Sequence, residues 1–194
     1  MIYELMINNY PDSYWFQYDS TIVDLYEFLQ CKKIQSNKPV VFKLEKKVSE
    51  KRLLSYDIYF SDGPEFISPR LANLLSNNQD FLHDVQLIDA TITVNGCSYS
   101  GYKALNFLRL ISCIDMNKSE YVPILDDYPD GPKNFYKMVL KENINEQFCM
   151  ARSEESIGLI VISESLRQFF IKNKVKGIDL STSCNQPIYG YSEV

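Results

Sequence analysis

The 194 residues are 45% hydrophobic and 23% charged, and 25 acidic residues against 20 basic ones leave a net charge of −5. That apolar content excludes a disordered chain and, at this length, suffices for one domain with a buried core. The acidic balance argues against binding a nucleic-acid backbone, which draws on clustered Lys and Arg. It leaves two readings of the charge: solubility, or attraction to a basic protein.

Ile2–Ile7 reads as an opening strand, and Glu4 with the polar pair Asn8-Asn9 leaves no apolar stretch for a secretion signal. The aromatic run Tyr14–Tyr18 suits a second short strand. Thr21–Cys31 carries Val23, Tyr26 and Leu29 at helical spacing behind Ser20 or Thr21 as cap, which predicts a helix. Val40–Leu44, introduced by Pro39, and Tyr56–Phe60 read as strands on either side of a charged connection, Lys46–Arg52. Ser68 precedes Pro69, and Leu71, Leu74 and Leu75 follow at helical spacing. A Ser cap accepts an orphan N–H and Pro at the first helical position gives up nothing, so Pro69–Ser76 is predicted helical, ended by Asn77-Asn78.

Val85–Val94 is rich in β-branched residues, and Asn95-Gly96 favours the positive φ angles of a type I′ turn, which predicts a hairpin continuing into Cys97–Leu105. Phe107–Cys113 is ambiguous between strand and helix. Pro123–Pro132 is a loop stiffened by three prolines and carrying Asp126, Asp127 and Asp130. Phe135–Leu140, Gln147–Ala151 and Leu159–Ile162 read as strands. Ser163 then caps a helix with Glu164 at its N-terminal end and Lys172, Lys174 and Lys176 towards its C-terminal end, Gly177 as the stop, and Ile178–Leu180 resuming as a strand. Ile67–Leu75 and Ile162–Phe170 share one pattern of apolar, Ser and helically spaced apolar residues, which reads either as two similar strand–cap–helix units or, preferred here, as one physical solution used twice: a Ser-capped amphipathic helix on a sheet. The expected class is α+β, a mostly antiparallel sheet with two or three packed helices. Residues 1–54 are expected to form N-terminal strands and a helix, or a small lobe, ahead of a 55–194 α+β domain, the whole being read as one compact unit.

The single histidine, His83, stands beside Asp84, with no G-x-S-x-G elbow in the chain and no Cys in a catalytic context. One His and five scattered cysteines (Cys31, Cys97, Cys113, Cys149, Cys184) give neither a zinc site nor a disulfide framework, and fit reduced thiols in the cytoplasm. No phosphate-binding glycine motif and no membrane-length apolar run occurs. Asp126-Asp127 and Glu154-Glu155 are neighbours whose default is solvated surface, because adjacent side chains on a strand point apart. A non-catalytic binding protein without metal or cofactor fits these features; its raw material is the proline-stiffened segment with Tyr121, Asp126, Asp127, Tyr128, Asp130 and Tyr136. The competing reading of those tyrosines is inward packing.

Three ordered segments resemble a known family: Ile67–Leu75; Tyr102–Asn106 continuing to Cys113–Tyr121; and Ile160–Phe170 closing with Val175–Ile178. Their order and spacing are similar to the bacterial immunity-protein family eleven of polymorphic toxin systems, over roughly residues 55–180. The "Asp-x-x-x-Ser-Glu" stretch of that family falls on Asp115, Ser119 and Glu120, and its terminal unit on Ser163, Leu166, Gly177 and Ile178. Its "Phe-Arg" pair is matched only loosely, by Phe148 and Arg152. The resemblance implies a cytoplasmic inhibitor of a cognate toxin, with the shared motifs forming scaffold and the toxin read by loops; the acidic charge and the short apolar runs give the expectation that the protein binds neither nucleic acid nor membrane. The alternatives are a small hydrolase using His83 and a carboxylate, and an adaptor protein without a toxin.

Overall fold

The structure, a computed structural model, describes residues 1–7, 15–144, 146–182 and 189–190. In chain order its elements are β1 (Ile2–Ile7), β2 (Gln17–Asp19), α1 (Leu25–Leu29), β3 (Val40–Leu44), α2 (Glu50–Leu53), β4 (Ile58–Tyr59), β5 (Phe66–Ile67) and α3 (Pro69–Ser76). After a 3₁₀ turn at Gln79–Leu82 follow β6 (Val85–Val94), β7 (Cys97–Phe107), β8 (Leu110–Ile111), β9 (Glu120–Pro123) and β10 (Lys133–Lys137). The chain continues through β11 (Met150–Ser153), β12 (Ile160–Ser163), α4 (Glu164–Lys172), β13 (Ile178–Ser181) and β14 (Tyr189–Gly190). The class is α+β, as the sequence predicts, and the strand pairs are antiparallel except β3–β6 and β8–β11. Tyr14, Asn8, Asn9 and Cys184 lie outside the described residues.

One six-stranded sheet runs β2-β3-β6-β7-β5-β4 and curls until its ends meet: Phe16 bridges to Ser61, its N–H donating to the Phe60 carbonyl and its carbonyl accepting from Asp62 N–H. The curl encloses an aromatic core in which Phe66 stacks on Tyr59 and Phe42, with ring centroids 4.9 and 4.2 Å away. The β6–β7 hairpin turns on Asn95 and Gly96, both at positive φ (50° and 83°), the type I′ geometry expected from the pair.

The second six-stranded sheet, β14-β13-β1-β12-β11-β8, takes its central strand from the N-terminus and its neighbours from the C-terminal half. Tyr3 and Leu5 of β1 therefore share a core with Ile160 and Ile162 of β12 and with Leu105 and Phe107 of β7. Helices α3 and α4 close the same core through Leu71, Ala72 and Leu75, and through Leu166 and Phe170. Ser68 and Ser163 cap them as predicted, accepting from Leu71 N–H at 3.1 Å and Leu166 N–H at 3.3 Å. The opposite face of the sheet is covered by the 111–148 segment, through Ile111, Cys113, Ile114, Leu140 and Phe148.

The two helices are fastened by a buried carboxylate with no sequence signature. Asp57 is 2% exposed. Its Oδ1 accepts from Ser68 Oγ and Arg70 Nε, both at 2.9 Å, and its Oδ2 accepts from Lys176 N–H at 2.9 Å and from Arg70 Nη2. Arg70 also donates to the carbonyl of Asn173 at 3.2 Å. The N-terminus of α3 is thereby tied to the turn that follows α4.

Several boundaries differ from the sequence reading. The first helix begins at Leu25, because Asp24, rather than Ser20 or Thr21, accepts from Tyr26 N–H at 2.8 Å; Phe28 is its buried residue and Tyr26 faces solvent. The charged connection contains the helical turn α2, drawn inward by the fully buried Leu53. The last helix stops before Gly177: Lys174 takes positive φ (50°), with Lys174 N–H on Ile171 O and Val175 N–H on Phe170 O at 3.0 Å each, a Schellman closure sealed by contact between buried Val175 and Phe170. The expected strand Gln147–Ala151 lies at Met150–Ser153, Phe135–Leu140 at Lys133–Lys137, and the ambiguous stretch resolves into the end of β7 and β8.

Candidate protein-binding surface

Asp115 begins the site by making a turn: its Oδ1 accepts from Asn117 N–H at 3.1 Å and its carbonyl from Ser119 N–H at 3.0 Å. Ser119 Oγ then accepts from Val139 N–H at 2.9 Å, and Glu120 pairs with Lys137 at 3.5 Å. These three motif residues close the base of a separate two-stranded ribbon, β9–β10. The register pairs Phe135 with Tyr121 and Lys137 with Glu120, which leaves Tyr136 as the extra residue of a β-bulge. A bulge re-aims a side chain, and Tyr136 is 69% exposed. Phe135 packs against the core while Tyr121, 5.5 Å from it ring to ring, is partly in solvent.

The ribbon's tip is internally bonded. Ile124 N–H donates to Pro132 O at 2.9 Å, Tyr128 N–H to Leu125 O at 3.1 Å, Gly131 N–H to Tyr128 O at 3.0 Å, and Lys133 Nζ to Pro129 O. The Tyr128 ring lies so close to Gly131 that a Cβ there would sit 2.3 Å from a ring carbon, so glycine lets the ring fold down on the turn. All six residues singled out from the sequence, Tyr121, Asp126, Asp127, Tyr128, Asp130 and Tyr136, are exposed on this one ribbon, and its tyrosines do not pack inward. The sequence reading missed the apolar share: Val122, Ile124 and Leu125 are exposed too, Ile124 by 61% and Leu125 by 55%. Their signal was an Ile-Leu pair inside an otherwise polar loop.

A second element, far away in sequence, stands against the ribbon. The turn Glu154–Gly158 between β11 and β12 forms one wall of a 620 Å³ cleft whose other wall is Ile124, Tyr128 and Asp130. Glu155 fastens that turn rather than being solvated: its carboxylate accepts from Ser112 Oγ at 2.6 Å, Ser153 Oγ at 2.8 Å and Cys113 N–H at 3.2 Å. Burial pushes this carboxyl up, but the donors outweigh it and hold it below the ordinary glutamate value. A depressed folded-state value gives stability that is present above the unfolded carboxyl range and lost as pH falls through the folded value. Glu155→Gln is expected to cost about 1–3 kcal/mol at pH 7. In urea unfolding at pH 7 and pH 3, the gap between the two proteins should narrow at the lower pH; an equal gap at both would remove this role.

His83 lies on another cleft, of 740 Å³, with Asp80, Phe81, Asp84, Arg109 and Cys149. Asp84 is committed to structure: its Oδ2 accepts from Cys149 N–H at 2.7 Å, its Oδ1 is 3.6 Å from Arg109 Nη1, and its carbonyl accepts from Leu108 N–H. Burial, then the charges of Asp84 and Asp80, raise the Cys149 thiol, which disfavours the nucleophilic thiolate. Arg152, the loosely matched motif residue, is buried against Glu65 at 2.9 Å and over the Phe107 ring, a cross-sheet brace. Among the described residues no group of three or more His, Cys, Asp or Glu is placed to hold a metal ion, and no helix is long and apolar enough to cross a membrane. Cys31, Cys97, Cys113 and Cys149 are free thiols.

Comparison with protein-family models and with curated proteins finds no match to this chain.

Proposed function

We propose that this chain is a non-catalytic immunity protein of the cytoplasm that neutralises a cognate bacterial toxin by binding it through the β9–β10 ribbon. The class comes from the ordered motifs that resemble immunity-protein family eleven. The observation that carries the mode of action is the ribbon itself: tyrosines and aliphatic side chains exposed beside Asp126, Asp127 and Asp130 on a hydrogen-bonded, proline-stiffened tip. A surface already held in one shape loses less entropy on binding, and aromatic anchors supply most of the affinity of a protein interface.

The test is co-expression with the product of the adjacent gene. Restored growth and a complex that co-elutes in gel filtration are expected, and the absence of both would sink the reading. A neighbourhood free of toxin genes would favour the adaptor alternative. His83→Ala should leave neutralisation within about twofold of the parent, since exposed substitutions outside an interface change stability by about 0.5 kcal/mol or less. Growth protection that collapses in His83→Ala would instead bring the His83 cleft into the mechanism.

A further inference from the structure

Ile124 and Tyr128 on the ribbon and Ile157 on the β11–β12 turn face one cleft, and each of the three is exposed. Around it stand Asp130 and Glu154, with Asp126 and Asp127 on the same tip. Among the described residues none of these four carboxylates takes part in an ion pair. Of the cations nearby, Lys137 pairs with Glu120 and Lys141 with Glu155, while Lys133, which lines the cleft, donates to the neutral Pro129 carbonyl and keeps its charge. The cleft therefore has apolar walls, and the carboxylates around it outnumber the one cation, Lys133, that lines it.

We infer that this cleft is a receptor for an arginine or lysine side chain presented by an extended segment of the protein partner, its stem lying against Ile124 and Ile157 and its charged head near Tyr128, Asp130 and Glu154. Long cationic side chains suit such a place because the methylene stem favours apolar walls while the head requires carboxylates or an aromatic face. A second copy of this chain does not match it, because docking two ribbons would set their aspartates against each other. The inference rests on reading the ribbon as a protein-binding surface and adds a wall, the 154–158 turn, and the chemistry of the residue it takes.

The experiment titrates the full chain, by methyl and aromatic NMR, with an eight-residue peptide alternating arginine and glycine, and with its glutamate counterpart. The arginine peptide should shift the Ile124 and Ile157 methyls and the Tyr128 ring, and the glutamate peptide should not. Tyr128→Ser and Ile157→Ser leave the charge unchanged and should each weaken binding about threefold to tenfold, while Ile157→Val retains it. Shifts spread over all acidic surfaces, or binding indifferent to both serine variants, would mean charge attraction alone and overturn the receptor. A dimer that buries Tyr128 and Ile157, seen by analytical ultracentrifugation, would overturn it as well. If the peptide binds as expected but toxin co-expression fails, the cleft stands and the immunity reading falls.

Discussion

Asp57→Ala is expected to lower the unfolding free energy by about 2–4 kcal/mol, because it leaves donors that Asp57 satisfied unpaired at about 1–3 kcal/mol each. The carboxylate is almost fully buried and accepts from a hydroxyl, a backbone N–H and two guanidinium nitrogens. Alanine leaves the buried Ser68 hydroxyl and the partly buried Lys176 N–H without their acceptor, while Arg70, half exposed, is rehydrated. Because whole domains are stable by about 5–15 kcal/mol, this is a large share of the total. Asp57→Asn keeps one acceptor oxygen and should fall between the two. Urea unfolding followed by circular dichroism at pH 7 measures all three proteins. A loss below about 1 kcal/mol for alanine would mean that the tie between α3 and α4 contributes little. Crossing Asp57→Ala with Arg70→Ala should give a coupling of about 1–3 kcal/mol, as for residues in one network.

The second large effect concerns association. Converting Asp126, Asp127 and Asp130 together to lysine should slow association with the partner by about tenfold to a thousandfold at low salt, the scale of electrostatic steering. The three carboxylates are exposed on the ribbon tip, so the variant should unfold within a few degrees of the parent. Raising the salt should slow the parent and bring the two rates together, because exposed charges are screened beyond about 8 Å at physiological ionic strength. Surface-plasmon measurements at about 20 mM and about 500 mM salt, between which the screening length falls from roughly 20 Å to roughly 4 Å, supply both rates. Equal association rates at low salt would remove the ribbon tip from the interface.

The candidate surface was partly legible. Prolines bracketing aspartates and tyrosines identify an exposed, stiff loop, because proline fixes φ and carboxylates stay in water unless paired. Tyr136 could be named as a candidate, but its prominence comes from a bulge that only the pairing of Lys137 with Glu120 creates. Glu154 and Glu155 read alike from sequence, yet one faces solvent and the other holds a turn through three donors, because Ser112 and Cys113 arrive from forty residues away. Ile157 joins Tyr128 at one cleft for the same reason.

Local chemistry determined what the sequence by itself could determine. Ser68 and Ser163 cap their helices, Asn95-Gly96 turns its hairpin, and Val40–Leu44 is a strand, since each depends on residues within a turn or two of chain. The class, α+β, follows from summing such elements. Tertiary structure alone decided that β1 enters the sheet of the C-terminal half, that the β2 and β4 ends of the other sheet meet at Phe16, and that Asp57 is a buried tie rather than a surface charge. These depend on contacts between distant segments, 119 positions apart for Asp57 and Lys176 and farther still for β1 and β13. No local propensity encodes them; they are fixed when the apolar faces find a common core and the buried polar groups find their partners.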